Sequence, residues 1–299
     1  TDTFKVRLQK DTGIDTLVHV THGYELEGPL ADVSWVNDMA NAIQQQSPAN
    51  WFAYPYIWKN WASGLPPNAL AFAQIQGFGF GQVIANQHWK NVHLIAHSAG
   101  AGFIENVAKE IKAISPSTFV QCTFLDPYVG VLDEWRDTYG HNANWTDCYF
   151  TQELGRGLSV VTGSFGWTGG NLGHAYNVDV DWTDPNSQPI VYGSTLVAFS
   201  AHDWSHEFYL KAITNTDNGW CGANYGFRLS AEGGGESGQA GHPIGNGSNP
   251  TVLCGLPGAI PTPNLPIPVA RIVWDQGSQA VSDAYSTVVN GAGFALNSL

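Results

Sequence analysis

The eleven residues from Val92 to Gly102, VHLIAHSAGAG, constrain the fold of this chain more than any others. An apolar, strand-like run from Val92 to Ala96 stops at small residues around His97 and Ser98. Phe103, Ile104, Val107, Ala108 and Ile111 then recur at spacings of three and four, the period that gathers side chains on one buried helix face. A buried strand that turns straight into a buried helix needs a sheet with a helix packed on it, and the turn must be tight. In that setting the pattern G-x-S-x-G marks a serine held out of a strained turn, with small neighbours because the helix packs close behind. Ala96 takes the first glycine position, giving Ala96-His97-Ser98-Ala99-Gly100, and alanine also meets the need for a small side chain. The five-residue pattern recurs by chance in many proteins. The strand before it and the helix after it set Ser98 apart from an ordinary helix N-cap serine.

Strands and helices alternate along the rest of the chain. A strand is expected over Thr16 to Thr21, ending at His22-Gly23, then a helix from about Leu30 to Ile43 with Val33, Val36, Ala40 and Ile43 on one stripe. Trp51 to Trp58 reads as an aromatic strand. Asn68 to Gln87 reads as a helix weakened by Gly77, Gly79 and Gly81. Ser115-Pro116 stops the helix that follows Ser98, Phe119 to Leu125 forms the next buried strand up to Asp126-Pro127, and a further strand covers Ala175 to Trp182. His202 and His206 are expected in a loop before the apolar run Phe208 to Ile213. This alternation predicts an α/β fold, a mostly parallel sheet with helices on both faces. Residues 1–230 are read as the main domain. Residues 231–299 are read as a Gly/Pro-rich loop and β-prone C-terminal extension packed on it.

A serine hydroxyl attacks only when an imidazole takes its proton, and a carboxylate must fix that imidazole's tautomer. Asp126, directly after the strand beyond Ser98, is the first candidate acid. Asp179, Asp181 and Asp184 are the runners-up, and the same three are also a candidate calcium cluster. His206 is the preferred base and His202 the second choice. His93 reads as a core histidine, and nothing marks His174 beyond its place before a strand. For the oxyanion hole, the Ala99 amide follows the nucleophile at a helix N-terminus. The second donor is expected from the loop after the early strand, as the Tyr24 amide behind Gly23. His22, His97 and Trp58 are the candidates for touching substrate.

These segments, VHVTHGY (18–24), HLIAHSAGAG (93–102), FLDPY (124–128) and HDWSHEFYL (202–210), resemble an α/β-hydrolase of the lipase/esterase kind over about residues 14 to 213. Leu-Asp-Pro after the strand following Ser98 is similar to the pancreatic-lipase-like arrangement, where the acid comes one strand earlier than in most relatives. The resemblance implies Ser98 as nucleophile, Asp126 as acid, His206 as base, and Tyr24 and Ala99 as oxyanion donors; no cofactor and no catalytic metal are expected. It implies a carboxylic-ester hydrolase working through an acyl-enzyme. The alternatives are a polyester (cutinase-like) hydrolase, a serine amidase or peptidase, and a non-catalytic binding protein on the same fold. A metallohydrolase using His202 and His206, four residues apart, lacks the HExxH pattern and a third ligand.

Composition narrows the partners. Twelve Lys and Arg against 25 Asp and Glu give a net charge of −13, which argues against nucleic acid or an anionic membrane surface. No apolar run is long enough to span a bilayer. Low lysine content and four cysteines favour an oxidising compartment, with Cys122–Cys148 and Cys221–Cys254 the expected bridges and the protein secreted or periplasmic, a monomer. The aromatic run Trp51, Phe52, Tyr54, Tyr56, Trp58, Trp61 suits either an acyl site or a sheet-facing core, and no long amphipathic segment suggests a lid.

Overall fold

A computed structural model describes residues 10–25, 30, 32–63, 66–130, 135–151, 171–180, 195–215, 225–229 and 252–253. It is an α/β structure. Seven parallel strands, β1 (Thr16–Thr21), β2 (Trp51–Tyr56), β3 (Asn91–His97), β4 (Phe119–Leu125), β5 (Trp145–Phe150), β6 (Tyr176–Asp179) and β7 (Val252–Leu253), form one sheet in the order β2-β1-β3-β4-β5-β6-β7. The helices are α1 (Ser34–Gln46), α2 (Pro66–Ala85), α3 (Gly100–Ile114) and α4 (Thr195–Thr214), with a 3-10 turn at Gly226–Leu229.

Alternate residues of the strands feed two separate cores. Leu17, Leu94, Phe124 and Cys148 face α2 and α3, meeting Phe80, Ile84, Phe103 and Val107. Their neighbours Val18, Ile95, Leu125 and Tyr149 face α1 and α4, meeting Val36, Met39, Phe208 and Tyr209. A strand buried on both faces carries a continuous apolar run, which is why β3 reads VHLIAH.

The helix α2 has the expected length, begins two residues earlier, and uses two of its three glycines for packing. A Cβ on Gly77 would lie 2.2 Å from the Phe103 carbonyl oxygen, and one on Gly81 2.7 Å from Glu110 Cβ. From the other side, a Cβ on Gly102 of α3 would lie 2.5 Å from Leu70 Cδ1. These glycines let α2 and α3 close together behind the Ser98 turn, and their loss of helix propensity is offset by that contact. Gly79 meets nothing and has no such role.

Three expectations are corrected. The first helix starts at Ser34, not near Leu30. The strand β5 escaped the sequence reading altogether. His202 and His206 lie inside α4 rather than in a loop. The Cys122–Cys148 bridge is also absent: both are buried free thiols, because Cys122 is paired in register with Thr146 and Cys148 with Phe124. Cys221, Cys254, Asp181, Asp184 and nearly all of the C-terminal extension lie outside the described residues. Among the described residues no helix is long and apolar enough to cross a membrane.

Candidate active site

The chain runs from β1 to β2 on one side and then returns to place β3 on the other side of β1. Such a reversal opens a crevice beyond the carboxyl ends of the strands, where open α/β sheets bind their ligands. Gly23 follows β1 there and Ser98 follows β3.

Ser98 is left-handed, with φ of 53°. A non-glycine residue in this region costs about 1–3 kcal/mol and persists only where its surroundings hold it. Three hydrogen bonds hold it here. Its N–H donates to the Leu125 carbonyl at 3.1 Å, and its own carbonyl accepts from Tyr128 N–H at 3.0 Å and Ala101 N–H at 3.1 Å. Ser98 is thereby tied to the end of β4 and to the first turn of α3. Gly100 is needed in that turn, since a Cβ would lie 2.5 Å from the His22 carbonyl oxygen.

Asp126 is also left-handed, with φ of 43°, and its N–H donates to the Tyr149 carbonyl at 2.7 Å. Its carboxylate is fully buried and meets His202: Nδ1 lies 2.9 Å from Oδ2. A carboxylate has no proton to give, so the imidazole donates from Nδ1, and Nε2 is the nitrogen turned away from the acid. His97, the residue before Ser98, reaches across as well. Its Nε2–H donates to the His202 carbonyl at 3.0 Å, and the two rings lie 4.4 Å apart. Burial, reinforced by the neighbouring His202 and His206, holds the His97 imidazole well below its ordinary pKa, hence neutral.

The histidine that meets the acid is therefore His202 and not the expected His206. His206 sits four residues further along α4. Its ring stacks on Trp35 with centroids 4.2 Å apart, and its nearest carboxylate is Asp203 at 3.8 Å. The runner-up acid Asp179 ends β6, paired in register with Phe150.

Ala99 and Gly23 meet at the other side of Ser98. Ala99 caps the N-terminus of α3, and a Cβ on Gly23 would lie 2.4 Å from Ser98 Cβ and 2.8 Å from Ala99 N. Only glycine lets the backbone that leads into Tyr24 approach the turn so closely. Glu25 N–H anchors the far end of this loop on the Ala62 carbonyl at 2.9 Å.

Of the expected substrate contacts, His22 and Trp58 lie beside the Gly23 loop. Both are buried and bond each other twice: Trp58 N–H donates to His22 Nε2 at 2.9 Å, and Trp58 Nε1 donates to the His22 carbonyl at 2.9 Å. The first of these bonds makes Nε2 the acceptor, so the His22 proton is on Nδ1, which faces Gly23 O at 3.0 Å and Glu25 at 3.3 Å. The pair fixes the loop that carries Gly23 and Tyr24. His97, the third of them, is buried and turned to the His202 backbone. The aromatic run splits: Tyr56 and Trp58 are core, while Phe52 and Trp61 are exposed.

Compared with known proteins, the chain matches no family model and no curated relative.

Proposed function

We propose that this protein is a serine hydrolase of the α/β-hydrolase type, acting on carboxylic esters through an acyl-enzyme. One observation carries the reading: the left-handed Ser98 follows β3 and is bonded through its backbone to Leu125 and Tyr128 on either side of Asp126, the buried acid that holds His202. Ser98 Oγ attacks the ester carbonyl while His202 Nε2 takes its proton. By accepting the Nδ1–H, Asp126 fixes the tautomer that presents Nε2 to the serine, and it stabilises the imidazolium as it forms. The Ala99 and Tyr24 amides receive the oxyanion, each such donor contributing on the order of 10²- to 10³-fold in turnover. The imidazolium then protonates the leaving alcohol, and water, activated by the same histidine, releases the acid.

The test is hydrolysis of p-nitrophenyl esters over a range of acyl lengths by the native chain and by Ser98→Ala, with circular dichroism showing both folded. A loss of about 10⁴-fold or more in the variant supports the serine mechanism, and the length profile separates esterase from lipase. Equal rates in the two proteins overturn it.

A further inference from the structure

A second cluster sits beside the first. His97, Asp203 and His206 each offer one ligand atom, and these atoms all lie within 4.8 Å of one another. His97 spends Nε2–H on the His202 carbonyl, which leaves Nδ1 with a lone pair. His206 is 7% exposed, yet its Nδ1 is buried without a partner among the described residues. Its other nitrogen is 3.8 Å from the Asp203 carboxylate, too long for a hydrogen bond. Trp35 closes one side, stacked on His206 and edge-on to His97 at 5.9 Å. Asp203, with its side chain 53% exposed, leaves the opposite side open to solvent.

We propose that His97, Asp203 and His206 form a binding site for a divalent transition ion of the zinc class, with a fourth position left to water. Two imidazoles and one carboxylate are a donor set that zinc accepts and that calcium and magnesium, which prefer oxygen, do not. Metal–ligand bonds of about 2.0–2.2 Å require the ligand atoms to come within roughly 4 Å of one another. Asp203 Oδ1 already lies 3.8 Å from His206 Nε2, so only a small shift among the three groups brings the set to that spacing. His202 is not one of the clustered ligands, and its Nδ1 is held by Asp126. The ion would join the Ser98 turn to α4 and so hold the helix that carries His202. The site stands on its own geometry and does not rest on the hydrolase reading.

Calorimetric titration of the chelator-stripped full-length chain with zinc chloride tests this, with calcium chloride as the comparison and thermal unfolding followed in parallel. The expected result is one zinc ion per chain, no calcium binding, and a rise in Tm with zinc concentration. In Asp203→Asn the zinc Kd weakens at least tenfold and the Tm rise is lost. The exposed position of Asp203 on α4 keeps this variant folded even where His206→Gln, which disturbs the Trp35 stack, is not. Absence of zinc binding, calcium binding in its place, or equal zinc affinity in folded Asp203→Asn overturns the site.

Discussion

Asp126 Oδ2 and His202 Nδ1 lie 2.9 Å apart, although 76 positions and several elements separate them in the chain. The contact forms because Asp126 leaves β4 in a left-handed turn and α4 packs on that same face of the sheet, through Phe208 and Tyr209 against Leu125 and Tyr149. Under the proposed mechanism this pair sets which nitrogen of His202 faces the nucleophile. His202→Ala is therefore expected to lower kcat/KM for a p-nitrophenyl ester by about 10⁵-fold or more, and Asp126→Asn by about 10⁴-fold. Combining Asp126→Asn with Ser98→Ala should add little, because groups that act as a unit are not additive. His206→Gln should lose at least an order of magnitude less than His202→Ala. The reverse ranking would return the role of base to His206.

Gly23 tests the oxyanion side of the site. A Cβ there meets Ser98 Cβ, the His97 carbonyl at 2.6 Å and the Ala99 amide at 2.8 Å, none of which is the end of a flexible side chain. Gly23→Ala should push the loop away from the Ser98 turn. Overpacking of this kind costs about 1–3 kcal/mol, and displacing one donor lowers turnover by roughly 10²-fold. Measuring Tm and kcat on the same preparation separates the two effects. A variant that loses stability but keeps full kcat would remove the Tyr24 loop from the chemistry.

The sheet and the Ser98 turn were legible in the sequence because buried parallel strands carry unbroken apolar runs and the helix after Ser98 keeps a clean period. The strand β5 was not, because WTDCYF places Asp147 inside the sheet. Thr123 Oγ1 donates to that carboxylate at 2.5 Å, a cross-strand bond that local pattern cannot reveal. His202 was misjudged for a related reason. The buried stripe of α4 includes His202, Ser205 and His206 as well as Trp204, Phe208 and Tyr209, so its polar members hid the helical period. His202 is buried against the acid and His206 against Trp35 and His97. The residues that build the candidate site thus erased the signal that would have located them. The glycines of α2 misled in the opposite direction, since a contact with α3 outweighs their weak propensity.

The two cysteines of the sheet give a chemical check on its register. Cys122 and Cys148 lie on adjacent strands, and burial pushes both thiols well above their ordinary pKa. Iodoacetamide should leave both unmodified in the native protein and label both after denaturation without reductant, as read by peptide mass spectrometry. Labelling that requires a reductant would mean a disulfide and a different pairing of β4 with β5.

His19 predicts how stability depends on pH. Its ring lies inside an aromatic cage, with centroids 4.8 Å from Phe80, 5.3 Å from Phe103, 5.7 Å from Tyr56 and 6.1 Å from Tyr54. Burial lowers its pKa from 6.5 to about 3, only partly opposed by the Tyr54 backbone. Between those values the unfolded chain binds a proton that the folded chain refuses, so stability rises with pH across this window. The contribution is complete above the unfolded value and is lost as the solution is acidified towards the folded one. One proton corresponds to a slope of about 1.36 kcal/mol per pH unit. The buried His97 shifts in the same direction and adds to the native slope. His19→Phe keeps the cage aromatic and removes the titrating group. Urea unfolding at a series of pH values from 4 to 6 should show the slope reduced by about one proton, whatever the variant's absolute stability. An unaltered slope would mean that His19 is protonated alike in the folded and unfolded chain, and the aromatic cage would not be the environment it occupies.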